Sequence, residues 1–273
     1  MESTTTKAVI LARGLGTRMR KPADGAVLDP SQAAAADAGV KAMIPIGRPF
    51  LDYVISALAD AGYRDVCLVI GPEHALVRDY YTTTVIPSRV RVSFAIQEGP
   101  RGTADAVRAA EGFAGGDEFL VINSDNYYPV AAVAGLRGLG HPGLAGFDRE
   151  ALVREGNIDE DRVRKYAVLD VSAEGWLEGI IEKPDRRTWE RLPKSAPISM
   201  NCWRLGPAIF EAVRRIDPSP RGEYELTDAV RYSIARLGGR FEVVPVAAGV
   251  LDLSMRSDIA SVARFLAGVE VRL

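Results

Sequence analysis

The first half of the chain alternates short apolar runs with stretches of helical period, and no other feature restricts the fold as much. "KAVILA" (7–12), "DVCLVIG" (65–71), "VRVSFAIQ" (90–97) and "EFLVINSD" (118–125) read as strands. Between them, "FLDYVISALADAG" (50–62) spaces Leu51, Val54, Ile55 and Leu58 at helical intervals and closes on Gly62. "TADAVRAAEGF" (103–113) reads as another helix. Strands and helices in alternation imply βαβ units and a mostly parallel sheet.

After residue 130 the pattern changes. "KYAVLDVS" (165–172) and "GWLEGIIEKP" (175–184) read as antiparallel strands around "AEG", and "PISMNCWRL" (197–205) adds another strand. Helices follow near 207–216 and 225–237. No linker rich in Gly, Pro or Ser separates the halves, so 1–273 is expected to form one domain. The fold class is α/β: a Rossmann-like, mixed but mostly parallel central sheet flanked by helices, with a small antiparallel lobe. The alanine-rich "SQAAAADAG" (31–39) predicts a short helix inside a long loop. The charged run 148–165 predicts a solvated excursion.

Composition narrows the function. With 273 residues, 47% of them hydrophobic, the chain can bury a sizeable core without staples. A net charge of −2 argues against a general binder of nucleic acid or of membrane surfaces, so any anion site must be local. "MESTTTKAVI" lacks the basic and apolar regions of a secretory signal, and no apolar run reaches the length of a membrane span, so a cytoplasmic protein is expected. Cys67 and Cys202 lie in apolar strand contexts and read as buried reduced thiols. His74 and His141 are the only histidines, which makes a histidine-ligated metal site improbable.

Ligands of open α/β sheets bind beyond the carboxyl ends of the strands. There, "LARGLGTRMR" places Gly14, Gly16, Thr17 and Arg18 just past the first strand. Glycines let backbone N–H groups approach phosphate oxygens, and an arginine adds charge-assisted bonds. The spacing is neither a dinucleotide fingerprint nor a P-loop. "KAMIPIGRPF" places Lys41 before a turn into a helix, and "QEGPRGTADAV" places Gln97 five residues before Gly102. "INSDNYYP" ends a buried strand in Asp125, a costly position for a carboxylate without a partner or metal. "IIEKP" offers Glu182 and Lys183, "SPRGEYELTDAV" carries Arg221, and "GVLDLSMRSD" ends an apolar run in Asp252.

Taken in order, these motifs resemble the sugar-phosphate nucleotidyltransferases, the family of glucose-1-phosphate thymidylyltransferase and of the uridylyltransferase domain acting on N-acetylglucosamine 1-phosphate. The resemblance runs from about Lys7 to Phe265. Leu11 to Arg18 match the family's Leu-Ala-Ala-Gly-x-Gly-Thr-Arg except at Arg13. Lys41 to Ile46 stand for its Pro-Lys-x-x-x-Pro-Val. Gln97 and Gly102 match its base-reading pair, Ser124-Asp125-Asn126 its Gly-Asp-Asn, Glu182-Lys183-Pro184 its Glu-Lys-Pro, and Arg221 through Asp228 its Arg-Gly-Glu-x-Glu-x-Thr-Asp.

The resemblance implies an Mg²⁺-dependent enzyme in which a sugar 1-phosphate attacks the α-phosphorus of a nucleoside triphosphate, UTP or dTTP, and pyrophosphate leaves. It implies catalytic roles for Arg18, Lys41, Asp125 and Lys183. Leu11, Ala12, Gly14, Gly16, Thr17, Gln97, Gly102 and Thr103 would bind the nucleotide, within a nucleotide half of about 1–130. Tyr166, Ala167, Glu182, Lys183, Asn201 and Arg221 would bind the sugar phosphate, within a half of about 131–273. Asp125 and Asp252 would hold Mg²⁺. The partners are the two substrates, with homo-oligomerisation expected from the family; neither nucleic acid nor membrane is expected. The chain ends soon after its last helix, so no appended acyltransferase-type repeat domain is expected. Three departures stand out. Arg13 replaces a small residue and is expected to reach a phosphate. The stretch between Arg18 and Lys41 is long and must loop out or form a lid. "LDLSMRS" replaces Asp-x-Gly-Thr. A nucleotide-sugar-binding regulatory pseudoenzyme and a nucleotidyltransferase of non-sugar phosphates are the alternatives.

Overall fold

In β1 (Lys7–Leu11), Ala8, Val9 and Ile10 are all fully buried, so this strand is covered on both faces, as a central strand of a parallel sheet must be. The protein is described by a computed structural model covering residues 4–22 and 27–273. β1 lies in parallel between β2 (Asp65–Ile70) and β4 (Phe119–Asn123), and β3 (Arg91–Ile96) extends the sheet beyond β2, also in parallel. Leu11 is in register with both Val69 and Asn123. The residues that follow each strand therefore emerge at one edge, which brings the Gly14 loop, Gln97 and Asp125 together.

The remaining five strands of the nine-stranded sheet come from the second half. They are β5 (Gly143–Phe147), β6 (Ala167–Val171), β7 (Leu177–Ile181), β8 (Ile198–Leu205) and β9 (Glu242–Val246). β6 and β7 pair antiparallel around a tight turn, as expected. β8 runs antiparallel to three neighbours. Its Ile198 and Ser199 pair with β6, its Trp203 to Leu205 pair with β4, and both segments face β5. The register slips between Ser199 and Trp203, where Asn201 sits. A bulge of this kind bends a strand and re-aims a side chain.

Two strands, β5 and β9, form a parallel pair that the hydrophobic pattern does not announce. "GLAGF" carries two glycines, which depress strand propensity. They are needed: a Cβ on Gly143 would lie 2.6 Å from Glu242 O, and one on Gly146 2.6 Å from Val243 Cγ1. The single helix expected over 103–113 is two, Thr103–Ala109 and Glu111–Ala114. At the break the Ala110 N–H tightens onto Val107 O.

The run 148–165 is not a solvated excursion. Asp148 caps a helix over Arg149–Glu155 and Asp159 caps one over Glu160–Val163, burying Ala151, Leu152, Ile158 and Val163. Charged residues dominate the run only because each helix is one-sided. The predicted alanine-rich helix forms as α2 (Pro30–Ala38), following the short α1 (Thr17–Arg20), and Asp29 gives it a capping box. It does not loop out. The Arg256 guanidinium pairs with Asp37 and donates to Met19 O (2.9 Å), while Arg20 donates to Ala38 O (2.9 Å), tying α2 to the glycine loop. The start of the expected loop, 23–26, lies outside the described residues.

Cys67 and Cys202 are free and buried, with burial pushing the Cys67 thiol up to about 11. Among the described residues no helix is long and apolar enough to cross a membrane.

Candidate active site

Two cavities open at the carboxyl edge of the parallel strands. The first, about 360 Å³, is lined by Leu11, Ala12, Arg13, Gly14 and Thr17 from the β1 loop, by Lys41, and by Gln97, Gly102 and Thr103. A Cβ on Gly14 would meet nothing within 4 Å, so the loop backbone there is open to an approaching ligand. Gly102 has φ +101°, and a Cβ on it would lie 2.5 Å from Tyr224 O, so glycine is required where the loop docks on Tyr224. Gln97, nearly fully buried, donates its amide to Gly102 O (3.0 Å). Gly16 lines neither cavity. It has φ +60° and packs against Gly39, whose carbonyl oxygen would lie 2.2 Å from a Cβ there. Its role in the structure is the close approach of the glycine loop to the segment after α2.

The second cavity, about 670 Å³, is lined by Tyr166, Ala167, Glu182, Lys183, Asn201, Arg221 and Asp252, together with Arg18. Arg18 and Lys41, both expected in catalytic roles, line different cavities, Lys41 the first and Arg18 the second. Glu182 and Lys183 are both exposed. Among described non-glycine residues, Lys183 (φ 42°) and Asn201 (φ 56°) are the two with left-handed backbone. Such conformations cost free energy and persist only where the surroundings impose them. Both belong to the residues expected at the sugar phosphate. Arg221 pairs with Glu225 and with Glu223 (3.3 Å), and Glu225 above all raises its pKa.

Thr103, Asn123, Asp125 and Glu225 line both cavities, so Asp125 stands where they meet. Its carboxylate is paired with the Lys41 ammonium. The chain beyond it, Asn126–Tyr127, forms a two-stranded ladder with Leu251–Asp252, and the Leu253 N–H donates to Asp125 O (2.8 Å). That ladder brings Asp252 to the same cavity as Asp125.

Arg162, which sequence reasoning assigned to the charged run, belongs to this site. Its Nη2 donates to Asp252 Oδ2 (2.6 Å) and its Nη1 to Asp258 Oδ1 (2.7 Å). The Tyr166 hydroxyl donates to the same Asp252 oxygen (2.6 Å), and Ser254 Oγ donates to Asp252 Oδ1 (2.6 Å). Burial works against the Arg162 charge, but the attraction of Asp252 and Asp258 more than offsets it and raises its pKa. Burial likewise raises the Asp258 pKa. Nothing in the spacing of a charged run marks one arginine as buried; the only hint is the second acid in "LDLSMRSD".

A cavity at the carboxyl edge of a mixed sheet, with a glycine loop and several cations in its lining, is where open α/β sheets bind their ligands. The family profile "Nucleotidyl transferase" matches residues 36–263, and the chain belongs to that family. It is 30% identical over 234 residues to a glucose-1-phosphate thymidylyltransferase of Streptomyces griseus, covering 84% of this chain and 57% of that protein. It is 26% identical over 253 residues to the UTP–glucose-1-phosphate uridylyltransferase AglF of Haloferax volcanii, covering 92% and 93%. A solved UDP-glucose pyrophosphorylase complexed with UDP-glucose shares the fold, with TM-score 0.72 at 20% identity over 97% of this chain and 99% of that one. The chain spans little more than half the length of some curated relatives, the S. griseus protein among them.

Proposed function

We propose that the protein transfers a nucleoside monophosphate from UTP or dTTP to a sugar 1-phosphate, releasing pyrophosphate. The observation that carries this reading is the junction of two cavities at Asp125, one built from the glycine loop and Gln97, the other from Glu182, Lys183, Asn201 and Arg221. In this reading the first cavity takes the nucleotide and the second the sugar phosphate, so the reacting phosphates meet beside Asp125. The halves about 1–130 and 131–273 divide these tasks, although Arg18 reaches into the second cavity and Glu223 and Glu225 into the first.

The chemistry needs little from a base, because a phosphate nucleophile is already an anion. Positioning and charge neutralisation do the rest. Lys41 neutralises the triphosphate; Arg18, Lys183 and Arg221 converge on the sugar phosphate. The Glu182 carboxylate and the Asn201 amide suit sugar hydroxyls, which favours a sugar phosphate over a non-sugar one. Family membership implies Mg²⁺, and the donor set fits a hard cation: Asp252 lies on one strand of a small ladder and Asp125 immediately precedes the other, and both carboxylates line one cavity. Among the described residues no group of three or more His, Cys, Asp or Glu forms a closed metal site, so phosphate oxygens would complete the coordination. When bound, Mg²⁺ supplies charge stabilisation at the transferring phosphate.

The test is product identification. Incubation with UTP or dTTP, glucose 1-phosphate and Mg²⁺ is expected to yield the nucleotide sugar by mass spectrometry. If the nucleotide binds but no sugar 1-phosphate is converted, the regulatory reading replaces this one.

A further inference from the structure

Asp252 lines the second cavity together with Asp125, yet both of its oxygens are already engaged. Oδ1 accepts from Ser254 Oγ (2.6 Å) and Oδ2 from Arg162 (2.6 Å) and Tyr166 (2.6 Å). Asp258 lies behind it, held by the N–H groups of Ser254 (2.9 Å) and Met255 (2.8 Å), with the same guanidinium shared between the two acids. Asp252, Asp258 and the Arg162 side chain are all largely buried, so the pairing is shielded from water and salt. A fixed guanidinium thus holds an oxygen that Asp252 would otherwise offer to a divalent cation.

We infer that Arg162 is a built-in counter-cation that competes with the divalent metal for Asp252 and sets how tightly the chain holds metal. The inference rests on the proposed metal role of Asp125 and Asp252. Lys41 engages Asp125 at Oδ2 alone, whereas both oxygens of Asp252 are engaged, so before substrate arrives Asp125 would be the carboxylate more open to metal, with the oxygens of bound phosphate completing the site. A purely structural clamp would have no such effect on metal affinity, because its loss would only loosen the segment 157–166 against Asp252.

Mn²⁺ binding to the nucleotide-free protein, followed by the paramagnetic resonance signal of free Mn²⁺, separates these cases. Removing the competitor in Arg162→Gln is expected to tighten Mn²⁺ binding by about 10- to 100-fold, the range over which partners of metal ligands act. The double variant Arg162→Gln/Asp252→Asn should return to the parent's affinity. A folded Arg162→Gln protein that binds Mn²⁺ no more tightly than the parent overturns the inference. Should Arg162→Gln fail to fold, Asp252→Asn alone decides. With Arg162 present it should change Mn²⁺ affinity by less than about twofold, and a loss of about tenfold or more would show that metal takes Asp252 despite Arg162. Asp125→Asn is the control for the underlying reading. It should weaken Mn²⁺ binding strongly, and unchanged binding there would remove the metal reading and this inference with it.

Discussion

Gln97 gives one amide hydrogen to Gly102 O and the other to the buried carboxylate of Asp105 (3.1 Å). Asp105 is itself held by Arg101 (3.2 Å) and Arg108 (2.9 Å). With both hydrogens committed to acceptors, the amide cannot flip without facing oxygen to oxygen, and only its own carbonyl oxygen is left for a base. That oxygen needs a donor. Uracil and thymine present an N–H at the matching position, whereas cytosine presents a lone pair. Asp105 thus fixes the orientation of the Gln97 amide and sharpens the expected selectivity. UTP and dTTP should be used ahead of CTP, with purines last, and a mismatched buried group costs about 1–3 kcal/mol, or roughly 5- to 150-fold. Asp105→Asn should narrow the UTP:CTP ratio of kcat/KM far more than it lowers the UTP rate. A wide ratio retained in that variant, or GTP or ATP as preferred donor of the parent, contradicts this account of Gln97.

Asp125→Asn should leave the fold intact and reduce turnover by about 10³-fold or more, through loss of several kcal/mol of charge stabilisation at the transferring phosphate. Far-UV circular dichroism checks the first part and steady-state kinetics under limiting Mg²⁺ the second. Full activity under those conditions would sink the assignment.

Arg13 meets Glu73 through two bonds of 3.2 Å each, and its side chain is almost entirely buried. Gly71 makes room for the pair, since a Cβ there would lie 2.3 Å from Glu73 Oε2. The guanidinium is therefore fixed at the wall of the first cavity, with Nη1 buried and without a protein partner. Arg13→Ala should raise the triphosphate KM by roughly 10- to 100-fold, as expected for a charge-assisted bond of about 1.5–3 kcal/mol. Higher activity in that variant would mean that Arg13 obstructs the cavity, and would favour the regulatory reading.

Asn201 occupies left-handed backbone at the slip in β8. Alanine there should lower stability by about 1 kcal/mol and raise the sugar-phosphate KM, whereas glycine should restore the stability alone. Urea denaturation and KM measurements on the two variants separate backbone from side chain. Recovery of KM as well in Asn201→Gly would remove the amide from substrate binding.

What the sequence disclosed follows from where the chemistry sits. The central parallel strands are apolar on both faces, and they and the edge strand β3 lead straight into Gly14, Gln97 and Asp125, so motif and strand end nearly coincide and the edge of the sheet could be read directly. Lys183 and Asn201 were legible as motif members, but not as left-handed residues, because that conformation is imposed by the bulge and turn around them. The strand Gly143–Phe147 was hidden by two glycines whose reason is a neighbouring strand far along the chain. Gly16 read as a ligand contact because its partner, Gly39, lies across a long loop. Arg162 was illegible because burial of one arginine in a charged run depends on tertiary contacts with Asp252 and Asp258.

The central claim is tested most directly by pyrophosphate release from a matrix of UTP, dTTP, CTP, GTP and ATP against sugar 1-phosphates, with the Asp125→Asn protein as blank. The account predicts release that requires both substrates, is greatest with UTP or dTTP, and disappears in the blank. Release without any sugar 1-phosphate, or none with any pair while the parent protein still binds nucleotide, would contradict it.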